Sequence, residues 1–85
     1  MTENKPAVSI TFCGSWGYKS RAVSLAADIA RILDYPTKIY QSSGGVFEVE
    51  VDGELIFSKA KLGRFPAEGE VLDLLSSRFV TWELQ

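Results

Sequence analysis

The chain of 85 residues carries nine Lys and Arg against eleven Asp and Glu, which gives a net charge of −2. This length predicts one domain over residues 1–85, and the lack of a basic excess argues against a nucleic-acid or anionic-membrane partner. The sequence has no histidine and one cysteine, which excludes Ser-His-Asp and Cys-His catalysis, most zinc sites and an intramolecular disulfide. No bound metal or cofactor is expected.

The first two predicted elements are a strand and a helix. In residues 7–12 the apolar residues alternate with polar ones, a pattern typical of a half-buried strand. From residue 18 to residue 33 the apolar residues recur at helical spacing instead. They form one stripe made of Ala22, Leu25, Ala26, Ile29, Ile32 and Leu33. Pro36 ends this helix, because proline disfavours helical geometry in the residue before it.

Three more strands are predicted in the middle of the chain. Residues 37–40 form a short strand, and residues 46–51 and 54–59 form a hairpin. The hairpin turn is Asp52-Gly53, a pair that supplies the positive φ angles of a two-residue turn.

The last predicted element is a second helix that begins near Pro66, because proline is tolerated in a first helical turn. Its buried side is predicted to carry Val71, Leu74 and Leu75. Phe79 and Trp82 are predicted to pack back onto the domain. The side chains predicted to form the centre of the core are Leu25, Ile29, Phe47, Val49 and Leu74.

The element order β-α-β-β-β-α predicts an α/β fold, an α+β sandwich with a four-stranded mixed sheet and two main helices. A β-α-β unit is parallel and right-handed, so the predicted strand order is 2-1-3-4 with the first strand in the centre. The loop after that strand then leaves the carboxyl edge of the sheet, where open α/β sheets usually carry their chemistry.

Cys13 lies directly after this central strand and just before a helix. A helix N-terminus favours thiolate over thiol, and Lys19 and Arg21 are close in sequence, so one interpretation is a partly accessible thiol with a lowered pKa. The other interpretation is a buried cysteine that acts as a small hydrophobic residue. Position alone does not decide between them.

Several neighbouring groups have a functional and a structural interpretation. Glu48 and Glu50 share a strand face and are predicted to be solvated rather than an acid–base pair. Lys59 and Lys61 are predicted to be edge-strand charges, and Tyr18 a packing residue whose hydroxyl reaches a partner.

Two adjacent glycines, Gly44 and Gly45, precede the third strand. Without side chains they would let a substrate backbone approach Cys13. An ordinary loop with a bulge is the favoured interpretation.

Three motifs in the chain resemble those of the selenoprotein W family, also called the Rdx family, of thioredoxin-like proteins. The first is CGSWGYKS, residues 13–20, which is similar to the redox loop of the family. The second is GVFEVEVDGELIFSK, residues 45–59, and the third is GRFP, residues 63–66. Together with the sequence between them, they extend the resemblance over most of the chain.

The resemblance implies a thioredoxin-like fold and a thiol or selenol redox protein that works with glutathione. It places the redox loop at Cys13, Gly14, Ser15, Trp16 and Gly17. In the family, the residue matching Cys13 forms a redox pair with the residue matching Trp16, a position usually occupied by selenocysteine or cysteine. Tryptophan has no redox atom, so this pair is broken here. Residues 1–6 lack the apolar segment of a secretory signal, which predicts a cytoplasmic protein.

Position 16 separates two hypotheses about function. The codon UGA for selenocysteine differs by one base from the tryptophan codon UGG, so Trp16 is either a misread selenocysteine or a true substitution. The first case favours a thiol oxidoreductase in which Cys13 forms mixed disulfides with glutathione or a protein. The second favours a redox-inactive relative that binds other proteins through the Cys13–Trp16 loop. The oligomeric state is not predicted.

Overall fold

The computed structural model describes the backbone of residues 5–80 and the side chains of residues 5–77, in which four strands and three helices are present. The strands are β1 (Val8–Cys13), β2 (Thr37–Ser42), β3 (Phe47–Val51) and β4 (Glu54–Ser58). The helices are α1 (Tyr18–Asp28), which continues as a π-helical segment (Ile29–Leu33), α2 (Lys59–Leu62) and α3 (Glu70–Val80).

The strands lie in one mixed sheet in the order β2-β1-β3-β4, which confirms the predicted topology. β1 pairs parallel with β2 and ends at Cys13, opposite Ser42. On its other side β1 pairs antiparallel with β3, and β3 pairs antiparallel with β4 across the Asp52-Gly53 turn. Cys13 is therefore the last residue of a central strand.

The sheet and the helices enclose one hydrophobic core. The buried apolar side chains of the sheet are Val8, Ile10, Phe12, Phe47, Val49, Val51 and Phe57. The helical part of the chain contributes Ala22, Ile29, Val71 and Leu75. The burial of Ile29, Phe47 and Val49 confirms the predicted core positions, and Leu25 packs half-buried against the same core.

The end of the first helical region differs from the prediction. An uninterrupted α-helical stripe would bury Ile32, but this side chain is 53% exposed. The π-helical segment has more residues per turn than an α-helix, which changes the direction of the side chains that follow. As a result Ile29 is buried, Leu33 is half-buried and Ile32 faces solvent.

Helix α2 was not predicted; it includes the last residue of the expected strand, Lys59, and the first three residues of the expected loop after it. Ser58 is its N-cap, and the Ser58 hydroxyl accepts a hydrogen bond of 3.3 Å from the Lys61 amide. Gly63, with φ +77°, ends the helix in the left-handed conformation. Lys59 is consequently a helical residue rather than an edge-strand charge.

Helix α3 begins at Glu70, four residues later than Pro66. The Arg64 guanidinium donates to both carboxylate oxygens of Glu70 over 2.7 and 3.0 Å, and the Ala67 amide donates to Oε1 over 2.8 Å. These bonds, the Arg64 bonds first, lower the pKa of Glu70 to about 2. The contact with Arg64 ties the start of the helix to the preceding loop.

The buried side of α3 carries Val71 and Leu75, whereas the predicted core residue Leu74 is 37% exposed. The prediction for Leu74 was wrong because Val71 and Leu75, four residues apart, form the buried stripe of α3, and Leu74 lies beside that stripe. The side chain of Phe79 and the whole of Trp82 lie outside the described residues. Among the described residues, every helix is too short or too polar to span a lipid bilayer.

Candidate functional site

The backbone at Cys13 and Gly14 is hydrogen-bonded on both sides, to the last residue of β2 and to the residue before β3. Its amide donates to the Val46 carbonyl over 2.8 Å, and the next amide, that of Gly14, donates to the Ser42 carbonyl over 3.1 Å. The cysteine is thus held at the carboxyl edge of the sheet, where the sequence predicts the site.

The Cys13 side chain is a free thiol that is only 5% exposed, so the expected partial accessibility was wrong. Its sulfur lies 3.1 Å from the Ser15 Oγ, with which it shares a hydrogen bond. The loop after β1 folds back over the sulfur through this contact, which explains the low exposure.

Hydrogen bonds lower the pKa of Cys13 below its ordinary value of 9.0. The largest contribution comes from the Ser15 hydroxyl, followed by the backbone amides of Ser15 and Gly45; the Gly44 amide adds a smaller one, and burial opposes the shift. None of these groups is charged. We call the Ser15 hydroxyl and the amides of Ser15, Gly44 and Gly45 the thiolate cradle.

The two glycines of the cradle have a role that the sequence analysis did not identify. Gly44 and Gly45 have φ angles of +83° and +73°, which glycine adopts without strain. In this conformation both amides contribute hydrogen bonds to the Cys13 thiolate. The available signal was the pair of adjacent glycines just before β3, which becomes informative only once the pairing of β1 and β3 is known.

The other loop residues surround Cys13 without contributing to the cradle. Trp16 is 97% exposed, so the structure does not bring it together with the buried sulfur. Gly17, with φ +88°, starts α1, and its carbonyl accepts a 3.2 Å bond from the Ser20 hydroxyl. Gly14 leaves room for the Gln41 side chain, whose Nε2 would lie 2.5 Å from a Cβ at position 14.

An aromatic cluster of Tyr18, Phe47 and Phe65 lies next to the cradle. The Tyr18 and Phe65 ring centroids are 5.0 Å apart and those of Phe47 and Phe65 are 5.4 Å apart, both in edge-to-face geometry. The Tyr18 hydroxyl oxygen is 3.6 Å from the position that a Cβ on Gly45 would take. Tyr18 therefore joins the cluster to the cradle, as well as packing against the core as predicted.

Two cationic side chains lie over these rings. The Arg21 guanidinium carbon is 4.1 Å from the Phe65 ring centroid. The Lys59 Nζ is 5.5 Å from the Phe65 centroid and 5.7 Å from the Tyr18 centroid. Lys59 is half-buried, while Lys61 is exposed.

Acidic groups form no comparable site. Glu48 and Glu50 are half-buried, so the face predicted to be solvated is only partly exposed, and the Ser58 hydroxyl donates to Glu48 over 3.4 Å. Across the described residues, no group of three or more Cys, Asp or Glu side chains is placed to hold a metal ion.

A four-stranded mixed sheet in this order, with a cysteine at the carboxyl end of its central strand, defines a thioredoxin-like protein. Within this class the chain belongs to the Rdx family, whose family model matches residues 7–77. This confirms the resemblance seen in the three motifs.

Two relatives and two solved structures are similar to the chain. It is 38% identical over 72 residues to a SelT-like protein of Arabidopsis thaliana, covering 84% of this chain and 34% of that protein. It is 28% identical over 71 residues to Migration and invasion enhancer 1 of Mus musculus, covering 80% of this chain and 60% of that protein. The chain thus spans about a third of the length of the SelT-like protein and 60% of the length of Migration and invasion enhancer 1.

The structural neighbours share the fold over nearly their whole length. A selenoprotein W-related protein of Vibrio cholerae aligns with a TM-score of 0.71 at 23% identity, covering 85% of this chain and 99% of that one. A protein of Bordetella parapertussis aligns with a TM-score of 0.70 at 22% identity, covering 82% of this chain and 98% of that one.

Proposed function

We propose that this chain is a thiol redox protein in which Cys13 forms mixed disulfides with glutathione or with a protein partner. Membership of the Rdx family supports a redox-type role in general. The observation that carries the finer proposal is the thiolate cradle, because uncharged donors that lower the pKa of Cys13 increase the thiolate fraction at neutral pH. A cysteine that served only to fill the core would gain nothing from such donors.

The proposed reaction is a thiol–disulfide exchange with an external disulfide as oxidant. The Cys13 thiolate attacks one sulfur of glutathione disulfide, the S–S bond breaks, and one glutathione thiolate leaves. Cys13 is oxidised to the mixed disulfide and the leaving glutathione is reduced. A thiolate of the protein partner then attacks the glutathione sulfur of the mixed disulfide, which releases the Cys13 thiolate and leaves the glutathione on the partner, so that the net reaction transfers one glutathionyl group from glutathione disulfide to the partner.

Two features of the site shape this cycle. The sequence has no second sulfur in the loop, so an external thiol rather than Trp16 has to resolve the mixed disulfide. Because Cys13 is 5% exposed, an incoming disulfide reaches the sulfur when the loop carrying Ser15 moves aside. Glutathione is abundant in the reducing cytoplasm, which we propose as the location of the protein.

Intact-mass spectrometry tests the proposal. The folded chain is incubated with glutathione disulfide across a range of pH, with Cys13→Ser as the control that removes the thiol. We expect one glutathionyl adduct that forms faster as pH rises through the lowered pKa and is removed by reduced glutathione. If the chain is labelled only after it is unfolded in urea, Cys13 is a structural thiol and the proposal is wrong.

A second candidate function is a protein-binding module that uses the Cys13–Trp16 loop. The observation that favours it is the 97% exposure of Trp16, because an exposed tryptophan is a frequent centre of protein interfaces. Partners isolated with the wild-type chain are tested against Trp16→Ala and Cys13→Ser. Binding that is lost with Trp16→Ala but kept with Cys13→Ser supports the binding module, and the reverse result supports the redox protein.

The nature of position 16 has its own test. Sequencing the natural gene distinguishes a UGG codon, which means a true tryptophan, from UGA, which means selenocysteine. In addition, Trp16→Cys restores a second sulfur to the loop. We expect this variant, unlike the wild type, to form an intramolecular disulfide on oxidation, seen as loss of both free thiols without an adduct.

A further inference from the structure

Lys59 is a half-buried cation that makes no ion pair with any described residue. Within the described part of the chain, neither Lys59 nor Arg21 makes an ion pair with a carboxylate. The faces of Tyr18 and Phe65 replace only part of the hydration that a half-buried ammonium group loses. Lys61 is exposed and its ammonium group stays hydrated, so the same lack of an ion-pair partner costs no free energy at that position.

This positive charge lies close to the thiolate cradle. The Tyr18 ring bridges the gap, since Lys59 Nζ is 5.7 Å from its centroid and its hydroxyl lies 3.6 Å from the Cβ position at Gly45. Gly45 lies beside Cys13, since the Cys13 amide donates to the carbonyl of the next residue, Val46, over 2.8 Å, and the Gly45 amide is one of the groups that lower the pKa of Cys13. In glutathione the sulfur is on the central residue, so a terminal carboxylate extends about 7 Å from that residue, which is the reach available for a contact with this lysine.

The cations do not account for the acidity of Cys13, because uncharged donors lower its pKa. Any role of the two cations at this site is therefore toward a ligand rather than toward the acidity of the thiol. Arg21 also lines a cleft of about 210 Å³ in which Asp28 and Glu68 are its acidic neighbours, so part of its charge is compensated there. Lys59 does not line that cleft and is the stronger candidate.

We propose that Lys59, assisted by Arg21, binds a carboxylate of the small disulfide that reacts with Cys13. The site then selects anionic disulfides, such as glutathione disulfide, over neutral ones of similar reactivity. This inference rests on the proposed redox function, to which it adds a specificity-determining residue.

The test compares two disulfides and two matched variants. Second-order rate constants for modification of Cys13 are measured with glutathione disulfide and with neutral bis(2-hydroxyethyl) disulfide. Lys59→Met removes the proposed ligand, and Lys61→Met removes the same charge from an exposed position of the same short helix. We expect Lys59→Met to slow the glutathione reaction about threefold to tenfold and the neutral reaction by less than about twofold. We expect Lys61→Met to change both by less than about twofold.

Each other outcome has a distinct meaning. If Lys59→Met slows both disulfides equally, Lys59 supports the structure of the loop and the carboxylate subsite is wrong. If Lys61→Met has the same effect as Lys59→Met, general surface charge explains the preference and the subsite is again wrong. A wild-type Cys13 that reacts with neither disulfide overturns the redox function itself.

A charge-preserving variant distinguishes the loss of the positive charge from misfolding of the loop. Lys59→Arg keeps the cation over the rings, so it is expected to retain the preference for glutathione disulfide within about twofold. If Lys59→Arg loses the preference as fully as Lys59→Met, while both variants unfold at the wild-type temperature, charge at position 59 is not what selects the substrate.

Discussion

The two ends of the sheet use the same backbone conformation for different purposes. At one end, the hairpin turn places Asp52 and Gly53 at φ +51° and +85°. The Asp52 carboxylate accepts a 3.0 Å bond from the Ala7 amide, and the Asp52 amide donates to the Ala7 carbonyl over 2.8 Å. The polar groups of this turn therefore bond to the neighbouring strand.

At the other end, Gly44 and Gly45 also have positive φ, but their amides face an ionisable sulfur. The strength of those bonds depends on whether Cys13 is a thiol or a thiolate. The comparison shows that a left-handed backbone conformation closes the chain in one place and presents hydrogen-bond donors to a reactive group in the other. What differs is the partner of the amides.

The largest expected effect is on the free energy of unfolding, through the hydrophobic core that supports both ends of the sheet. Leu75→Ala removes a fully buried side chain and is expected to lower the free energy of unfolding by about 2–5 kcal/mol. Leu74→Ala, at the adjacent and 37% exposed position, is expected to cost less than about 1 kcal/mol. Urea denaturation measures both. Equal losses would mean that the buried side of α3 is misassigned.

The comparison between the two ends is tested by a matched pair of glycine variants. Gly45→Ala and Gly53→Ala both force a side chain into positive φ, with an expected loss of about 1–2 kcal/mol each. Only Gly45→Ala is expected to raise the pKa of Cys13, because only its amide belongs to the cradle. The ultraviolet absorbance of the thiolate against pH measures this pKa. The same pKa shift in both variants would contradict the distinction.

A smaller effect is expected when the Ser15 hydroxyl is removed. Ser15→Ala deletes the main donor of the cradle and is expected to raise the pKa of Cys13 toward 9.0. Because the folded-state pKa is lowered, the thiolate stabilises the wild-type fold above the ordinary pKa, and that stabilisation disappears as pH falls through the folded-state value. The stability difference between wild type and Ser15→Ala should grow with pH up to about 9. A difference that is constant from neutral to alkaline pH would show that the hydroxyl does not act on the thiolate.

Much of the fold was predictable because its signals are local. The change from the alternation of Val8, Ile10 and Phe12 to helical spacing, together with the Asp52-Gly53 turn, gave the element order, from which the strand order follows because a β-α-β unit is parallel and right-handed. The exposure of Leu74 was not predictable, because the spacing of Val71, Leu74 and Leu75 does not reveal how α3 is rotated about its axis against the sheet.

The site was predicted only in part for the same reason. Cys13 was placed at the carboxyl edge correctly, since its position follows from the strand order. Its low exposure was missed because it depends on the contact of the Ser15 hydroxyl with the sulfur. Two of its amide donors, Gly44 and Gly45, are distant in sequence and come close to the sulfur through the pairing of β1 with β3. Lys59 was misassigned because the Ser58 cap converts the end of the predicted strand into a helix.

The composition of the cradle has a consequence for how the protein tolerates mutation. Three of its four donors are main-chain groups, which every amino acid except proline provides. Exchange of one side chain for another therefore leaves these donors present, provided that the backbone keeps its path. Apart from the Ser15 hydroxyl, the donors that make Cys13 acidic are therefore set by the path of the main chain, and substitutions around the loop threaten these donors mainly at the glycines that permit this path.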